Sequence, residues 1–295
     1  MSLVSVQELL ESGVHFGHRV SRWNPKMKPF IFGKRNLIHI INLRETIKGL
    51  IQAYEFVKKL AADGQEVLFV GTKRQAKKVT ETEALRAGMH YVNERWIGGT
   101  ITNFTTINSR LKRLLEIEAQ EAAGTLDLFT KKEKSMVMRE KRKLKRNLDG
   151  LRNMKKLPTT LIIADPTREK NAVLEAKKAG LSVIALIDTD GNPSQVDIPI
   201  PGNDDAMRVI QIVFSRLADA ILEGKAKYAL FLKQEEERKR RDDEERKKKA
   251  AEEAKKAAEE AKKVAEAAAK KAAEEARKAA DEKKPAETET KPAGA

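Results

Sequence analysis

Short apolar segments alternate with stretches of helical spacing along most of the chain. Between residues 44 and 62, apolar side chains recur every three or four positions, which is typical of one face of a helix. The segment 67–70 that follows is wholly apolar, as expected for a strand of a parallel sheet that is covered on both faces. The other predicted strands are 89–92, 157–165, 182–187 and 196–200. Strands that alternate with helices predict an α/β fold, a Rossmann- or flavodoxin-like parallel sheet with helices on both faces.

Residues that favour helix starts stand at several predicted boundaries. Ser5, Thr72 and Thr130 each have Glu or Gln three positions later, which is the pattern of a capping box. Asp165 precedes a proline and Asn203 precedes an amphipathic stretch, so both are predicted N-caps. We therefore expect helices to begin directly after the strands that end near 70, 165 and 200.

Residues 105–154 interrupt the α/β pattern with two long amphipathic stretches. Apolar stripes at 107–117 and 137–151 are separated by a turn at 122–127, which predicts an inserted antiparallel coiled-coil hairpin. The second arm carries a basic run at 139–146. That run is either a solvated helix face or a phosphate-facing arm, and the sequence favours neither.

The segment 13–43 is rich in prolines, glycines and cations. Two apolar runs at 29–32 and 37–43 flank the residues 33–36, which predicts a β-hairpin with a basic tip. Cations interleaved with Trp23 precede this hairpin, and such a mixture suits phosphates together with an unpaired base that stacks on the ring.

The chain changes character after about residue 228, where alanine and charged residues repeat with a period of seven. We expect a frayed, solvated helix that ends at Pro285 in a disordered tail. The predicted organisation is an α/β RNA-binding domain (1–104 and 155–228), the inserted hairpin (105–154), and a charged helical to disordered tail (229–295).

The positive charge belongs to the folded part of the chain. The 295 residues carry 59 Lys or Arg and 44 Asp or Glu, a net charge of +15. Residues 234–295 hold 19 of these bases and 18 of these acids, so +14 remains on the rest. A cationic body predicts a polyanionic partner such as nucleic acid, although a soluble protein can also simply be basic.

The chain has no features of a secreted or membrane protein. Without cysteine it cannot form disulfides, which fits a reducing cytoplasm. We find neither a signal-peptide core at the N-terminus nor an apolar run of about 18 residues, so we expect no membrane partner.

Several idiosyncratic segments resemble the bacterial ribosomal protein S2 family. They are GVHFGH (13–18), WNPKM (23–27), FIFG (30–33), HIINL (39–43), FVGTKR (69–74) and the stretch NERWIGGT with TNF (93–104). The resemblance covers roughly residues 5–225, and the family has an inserted hairpin at this position. It implies a structural component of the small ribosomal subunit in the cytoplasm, which contacts small-subunit rRNA and neighbouring ribosomal proteins and helps to recruit protein S1.

The candidate RNA-binding residues are cationic, aromatic or amide side chains in these segments. They are Arg19, Arg22, Trp23, Asn24, Lys26, Lys28, Lys34, Arg35, Lys73, Arg74, Arg95 and Trp96. For Trp96, which stands beside a double glycine, an exposed stacking residue and a buried ring over a tight turn are equally good interpretations.

No catalytic set of residues is evident. The alternative function, a Rossmann-like nucleotide-dependent enzyme, requires a glycine-rich first βα turn, whereas GTKR at 71–74 is basic and has one glycine. His15 and His18 have the spacing of a weak zinc pair, and we expect them to pack in the RNA-binding loop instead. Asp188, Asp204 and Asp205 could hold a divalent cation, the one cofactor considered, but helix N-terminal charge complementation explains the last two better.

Overall fold

The computed structural model describes residues 4–242, apart from the side chains of residues 127 and 128. By its contacts the chain divides into a unit that ends at Leu230 and a second unit that begins at Phe231. In the second unit, residues 231–242 are helical. The rest of the predicted tail, including its disordered end, lies outside the described residues.

The first unit contains eight strands and seven α-helices among its described residues. The strands are β1 (Phe16–Arg19), β2 (Ile31–Arg35), β3 (Ile38–Ile41), β4 (Val67–Val70), β5 (His90–Val92), β6 (Thr160–Ile163), β7 (Ser182–Ile187) and β8 (Ile198–Pro201). The helices are α1 (Val6–Ser12), α2 (Leu43–Ala62), α3 (Lys77–Ala87), α4 (Phe104–Ala122), α5 (Lys131–Leu148), α6 (Lys170–Lys178) and α7 (207–230).

Strands β4 to β8 form one parallel sheet in the order β5-β4-β6-β7-β8. Numbered from β4, this is the 2-1-3-4-5 order of flavodoxin-like folds, whose ligands bind beyond the carboxyl ends of the strands. The order of the strands reverses at β4, because β5 lies on one side of β4 and β6 on the other. The loops after β4 and β6 therefore lie side by side at the carboxyl edge of the sheet. The prediction of a parallel sheet covered by helices is confirmed.

Alternate residues of the strands supply two separate apolar cores. On one face Phe69, Ile184 and their neighbours pack against α2, α3 and α7. On the other face Leu68, Ile163 and their neighbours pack against α6 and the proximal ends of α4 and α5. Because every strand of this sheet is buried on both sides, its residues read as continuous apolar runs rather than as an alternating pattern.

The predicted helix starts that lie far from the carboxyl edge of the sheet are correct. Those along that edge are wrong. Ser5 caps α1, and Thr130 with Glu133 forms the predicted capping box of α5. In contrast, α3 begins at Lys77 with no side-chain cap, so the predicted cap at Thr72 is wrong. Asp165 and Asn203 close short turns, and the helices that follow begin at Lys170 and at residue 207.

Long-range contacts explain these delayed helix starts. The Thr72 hydroxyl donates to Glu169, which is buried and belongs to the turn before α6. Lys73 reaches across to Asp204, in the turn before α7. Thr72 is therefore engaged between loops, whereas Asp165 and Asn203 accept from amides of their own turns, and each loop continues for several residues before its helix begins.

Helices α4 and α5 pack against each other where the inserted hairpin is predicted. Leu114 and Ile117 of α4 are fully buried but lie outside the two sheet cores. Ile107, Leu111 and Leu148 belong to the second sheet core instead. The proximal third of this pair of helices is thus part of the domain core, and its description as a coiled coil stays a prediction.

Candidate nucleic-acid interface

A small antiparallel sheet, in the order β1-β3-β2, lies at the carboxyl edge of the parallel sheet. The His18 amide donates to Thr189 Oγ1 (2.9 Å), and the Asn24 amide donates to the Thr189 carbonyl (2.8 Å). At Gly17 an added Cβ would lie 2.6 Å from Thr189 Cγ2, so the backbone here requires glycine. The loop after β7 therefore fixes the position of the segment 16–41, which we call the basic module.

The basic module presents exposed cations that have no partner among the residues that the structure describes. The side chains concerned are Arg19, Arg22, Lys26, Lys28, Lys34 and Arg35, and all six are exposed. Within the described part of the chain, none of them forms an ion pair or a side-chain hydrogen bond. Unpaired cations on one exposed segment form an electrostatic surface that is suited to phosphates.

Trp23 and Asn24 lie in the middle of this surface. The Trp23 ring is half-buried and tilted against the buried His39, with ring centroids 5.2 Å apart. Asn24 caps the 3-10 turn at Pro25–Phe30 by accepting from the Lys26 amide (3.0 Å). Trp23 is thus partly available for stacking, while the Asn24 side chain already has a local partner.

The predicted β-hairpin is present, but its turn lies further along the chain than expected. β2 continues through Lys34 and Arg35, which pair with His39 and Ile38 of β3. The turn consists of Asn36 and Leu37 alone, both at positive φ (50° and 62°), as in a type I′ turn. The basic residues therefore stand on a strand rather than at the tip.

This hairpin carries two exposed apolar side chains, Phe32 near the start of β2 and Leu37 in the turn. Phe32 is 79% exposed and Leu37 is 77% exposed, the highest values among the large apolar side chains that the structure describes. Leu37 also adopts a backbone conformation that non-glycine residues rarely take. The turn is consequently strained, and the hairpin presents apolar surface beside the cations.

Lys73 and Arg74, the candidates after β4, differ sharply in their surroundings. The Lys73 Nζ lies 2.7 Å from Asp204, 2.5 Å from Asp205 and 3.8 Å from Asp165. Burial disfavours the charged ammonium, but hydrogen bonds to Asp204 and Asp205 outweigh that effect and raise the pKa of Lys73. The Lys73 ammonium thus pairs with carboxylates of its own chain. Arg74 is exposed and forms no ion pair or side-chain hydrogen bond with the described residues.

Trp96 is a core residue and Arg95 is a surface residue. The Trp96 ring is 7% exposed, and its Nε1 donates to Glu175 (3.0 Å). The interpretation of Trp96 as an exposed stacking residue is therefore wrong, and that of a buried ring over a tight turn is right. The adjacent Arg95 is exposed and has no side-chain partner among the described residues.

Glu175 of α6 organises the loop around Trp96. Besides the indole, its carboxylate accepts from the amides of Gly99 (2.9 Å) and Ile101 (3.1 Å). Burial opposes ionisation of this group, but the donors from Trp96, Gly99 and Ile101 outweigh burial and lower the pKa of Glu175. The Glu175 carboxylate thus accepts hydrogen bonds from loop amides that have no backbone acceptor in the described chain.

The predicted cation ligands Asp188, Asp204 and Asp205 do come together. They meet at the carboxyl edge of the sheet, although Asp204 and Asp205 lie outside the first turn of a helix. His18 Nδ1 lies 2.8 Å from Asp188, and His18 Nε2 lies 3.6 Å from Asp205. Helix charge complementation therefore does not explain these aspartates, which face a histidine and Lys73 instead.

The charged groups of this cluster shift one another's pKa values. The contact with Asp188 raises the pKa of His18 to about 9, although partial burial opposes that shift. Burial, together with the Asp165 carboxylate, raises the pKa of Asp204 to about 8 against the opposing effect of Lys73. More negative charge is gathered here than Lys73 and His18 can balance.

Sequence reasoning missed two members of this cluster. The sequence spacing pairs His18 with His15, whose side chain is not among the cluster's members, and the proline after Asp165 predicts a helix cap there. The available signal was position: Asp165 ends one predicted parallel strand and Asp188 directly follows another, and such residues share one sheet edge. Nothing in the sequence placed β1 against that edge.

The comparisons with known proteins agree with the segments noted in the sequence. The family model described as ribosomal protein S2 matches residues 9–224. The small ribosomal subunit protein uS2 of Rhodopirellula baltica is 54% identical over 222 residues, which cover 75% of this chain and 85% of that relative. The chain belongs to the ribosomal protein S2 family. S2 proteins are structural constituents of the small ribosomal subunit, so the alternative prediction of a nucleotide-dependent enzyme is wrong.

The turn after β4 of this S2 protein also differs from a nucleotide-binding loop. An added Cβ at Gly71 would lie against Thr80 Oγ1, so the turn is packed directly onto α3. The hydroxyl of Thr72 is committed to Glu169. Among the described residues, no helix is both long and apolar enough to cross a bilayer.

Proposed function

We propose that this S2 protein binds small-subunit rRNA mainly through phosphate groups, and that the basic module is its principal contact surface. The observation that carries the proposal is the set of six exposed, unpaired cations on residues 16–41. Its site of action is then the cytoplasmic ribosome. Arg74 and Arg95, which are also exposed and unpaired in the described chain, extend the cationic surface along the loops after β4 and β5.

The rigidity of the basic module supports this assignment. Cations on flexible loops lose conformational freedom when they bind, whereas here β1 pairs with β3, and the amides of His18 and Asn24 donate to Thr189. The half-buried Trp23 adds one ring face on which an unpaired base can stack. The surface thus combines phosphate neutralisation with a single stacking position.

The structure agrees with both interpretations of the basic run of α5. Lys141 pairs with Glu121 of α4, and Arg113 of α4 lies 3.7 Å from Glu140. Arg139, Lys143 and Arg146 are exposed and form no ion pair within the described chain. These residues therefore serve either as a solvated face or as a second, weaker phosphate contact.

The salt dependence of RNA binding tests the proposal. The test variant replaces Arg19, Arg22, Lys26 and Lys28 by Gln, and the control replaces Lys59, Lys155, Lys156 and Lys178, exposed lysines near the opposite edge of the sheet. Each neutralised phosphate contributes about 0.7–0.9 to the slope of log affinity against log salt. The test variant should lose about three units of slope and the control almost none, and equal slopes in both would contradict the proposal.

We also propose that S2 contacts neighbouring small-subunit proteins and helps to dock protein S1. Family resemblance motivates this second role, and the exposed apolar side chains of the hairpin, Phe32 and Leu37, are candidate contacts. Small subunits reconstituted with a Phe32→Ser and Leu37→Ser variant should retain S2 but recover less S1. Unchanged S1 recovery would show that Phe32 and Leu37 do not contribute to S1 docking.

A further inference from the structure

We propose that a cleft between α4, α5 and the loop after β5 binds a single unpaired nucleotide of RNA, with the base inside the cleft and a phosphate at its rim. The cleft shares no residue with the basic module or with the aspartate cluster at the carboxyl edge of the sheet. The inference rests on the proposed RNA-binding role of the protein and adds a second site of a different kind.

Three segments that are distant in the sequence form the walls of the cleft. They are residues 97–99 of the loop after β5, residues 103–110 at the start of α4, and residues 140–148 of α5. The volume between them is about 390 Å³, which lies within the range of about 300–1,000 Å³ that is usual for small-ligand sites. The cleft therefore has the size for one base rather than for a paired helix.

The apolar lining of the cleft belongs to the second sheet core. Ile107 and Leu148 are buried, while Ile97 and Leu144 are half-buried and pack against the same core. Because the core fixes these side chains before any ligand arrives, little ordering is required on binding. Proteins that take up a single base hold it between apolar or aromatic side chains, so this lining suits the faces of an unpaired base.

Two side-chain amides in the lining have hydrogen-bonding groups that the fold does not use. Asn147 is half-buried, and its amide forms no hydrogen bond within the described chain. Asn103 Oδ1 accepts from the hydroxyls of Thr105 (3.2 Å) and Thr106 (2.8 Å), whereas its Nδ2 donates to no described group. An amide offers two donors and an acceptor, and the edge of an unpaired base presents complementary groups.

Arg110 of α4 and Lys143 of α5 supply positive charge to the cleft. Both residues line it, both are exposed, and neither forms an ion pair or a side-chain hydrogen bond with a described residue. The carboxylate in the lining, that of Glu140, lies 3.7 Å from Arg113 and is thus partly balanced. The remaining positive charge favours a ligand that carries a phosphate. The exposed Arg95, part of the proposed RNA-binding surface, lies two residues before the wall at 97–99.

Gly98 is a glycine that neither its backbone nor its neighbours require. Its φ is not positive, and an added Cβ would meet no atom within 4 Å. The adjacent Gly99, in contrast, has a φ of 89° and needs glycine for its conformation. Glycine also allows another molecule to approach the backbone closely. A bound nucleotide in the cleft accounts for the absence of a side chain at residue 98.

The test follows methyl groups of the cleft by NMR in the isotopically labelled full chain. Pentaadenylate supplies unpaired bases, and a short RNA duplex supplies phosphates without them. Pentaadenylate should shift the methyl signals of Ile97, Ile107 and Leu144 and leave those of Ile221, in the core on the other face of the sheet, unchanged. The duplex should leave the cleft signals unchanged, because its bases are paired and stacked.

Matched variants remove the same charge from the same two helices. Arg110→Gln with Lys143→Gln should weaken pentaadenylate binding at the cleft about 10-fold in dilute salt, because the phosphate loses the cations that neutralise it. Lys112→Gln with Arg146→Gln, at exposed positions outside the lining, should bind as the unmodified chain does. Gly98→Leu has room in the fold and should weaken binding by narrowing the cleft.

The outcomes separate this inference from the proposed function. The variant with Gln at Arg19, Arg22, Lys26 and Lys28 should lose rRNA affinity and keep the methyl shifts of the cleft; unchanged rRNA affinity would contradict the proposed function alone. Three results would overturn the cleft inference alone: no shift in the unmodified chain, equal shifts with the duplex, or equal binding by the two double variants. Shifts caused by an acidic, leucine-containing peptide but not by pentaadenylate would assign the cleft to a protein and overturn it too.

Discussion

Single side chains decide whether the loops of this fold are ordered. Glu175, Thr189 and Lys73 each connect loops that lie far apart in the sequence. None of these connections was predictable from the sequence, because local patterns report caps and turns but not which distant backbone a carboxylate or hydroxyl will meet. The burial of Trp96 depends on the same kind of long-range contact.

Replacing Glu175 by Gln should lower the free energy of unfolding by about 1–3 kcal/mol at pH 7, because buried donors lose a charged acceptor. The folded-state pKa of Glu175 is lowered, so its contribution is present above the ordinary value of 4.5 and disappears as the pH falls through the folded pKa. The difference from wild type should therefore vanish in acid. Glu55→Gln, at an exposed position, is the control, and an effect of Glu175→Gln that does not depend on pH would refute this account.

The two tryptophans should separate RNA binding from stability. Trp23→Ala should weaken rRNA binding by about 1–3 kcal/mol, because the half-buried ring offers a stacking surface. Trp96→Phe should leave the affinity unchanged and lower the melting temperature, since Glu175 loses its indole donor. Filter binding and calorimetry measure the two quantities. If Trp23→Ala lowers only the melting temperature, Trp23 is a core residue.

Secondary-structure elements follow the sequence closely where their contacts are local. The strands β4 and β7 have the predicted bounds, and the capping box at Thr130 starts α5 as expected. Besides the helix starts along the carboxyl edge, an error lies in the hairpin turn, because the position of a two-residue turn depends on strand register. In the hairpin of β2 and β3, the register places the turn at Asn36 and Leu37 instead of at residues 33–36.

The hairpin turn should become more stable with glycine at its second position. Leu37 has a φ of 62° and is 77% exposed, so Leu37→Gly relieves strain and removes little packing. We expect the free energy of unfolding to rise by up to about 1 kcal/mol in a denaturant titration. Asn36→Gly is the matched control and should be nearly neutral, because Asn tolerates this conformation. Destabilisation by Leu37→Gly would show that Leu37 packs.

The pair α4 and α5 should tolerate removal of its distal part only. Replacing residues 113–143 by a short Gly/Ser turn keeps Leu111 and Leu148 in the second sheet core, so the body should still melt cooperatively. Replacing 108–150 removes both leucines, and each loss should cost about 2–5 kcal/mol, as for truncation of a buried leucine. Calorimetry of the two deletions decides between these outcomes. Equal stability would mean that this core does not need the helices.

At the scale of the whole molecule, the cations that we propose to bind RNA belong to segments at the carboxyl edge of the parallel sheet. The sequence predicts the fold class, since buried parallel strands and intervening helices leave a strong pattern. It does not predict strand order, or the packing of β1 on that edge, because both depend on contacts between distant segments. The near-neutral segment 234–295 is expected to add little to phosphate binding, since its opposite charges alternate within a screening length of about 8 Å.

Co-sedimentation with small ribosomal subunits that lack S2 tests the central claim most directly. The chain with Gln at Arg19, Arg22, Lys26 and Lys28 is compared with the control changed at Lys59, Lys155, Lys156 and Lys178, which has the same net charge. If the basic module anchors S2 through rRNA phosphates, the control should sediment with the subunits as wild type does, while the module variant stays largely in the supernatant despite a wild-type melting temperature. Equal recovery of both variants with the subunits would contradict the account.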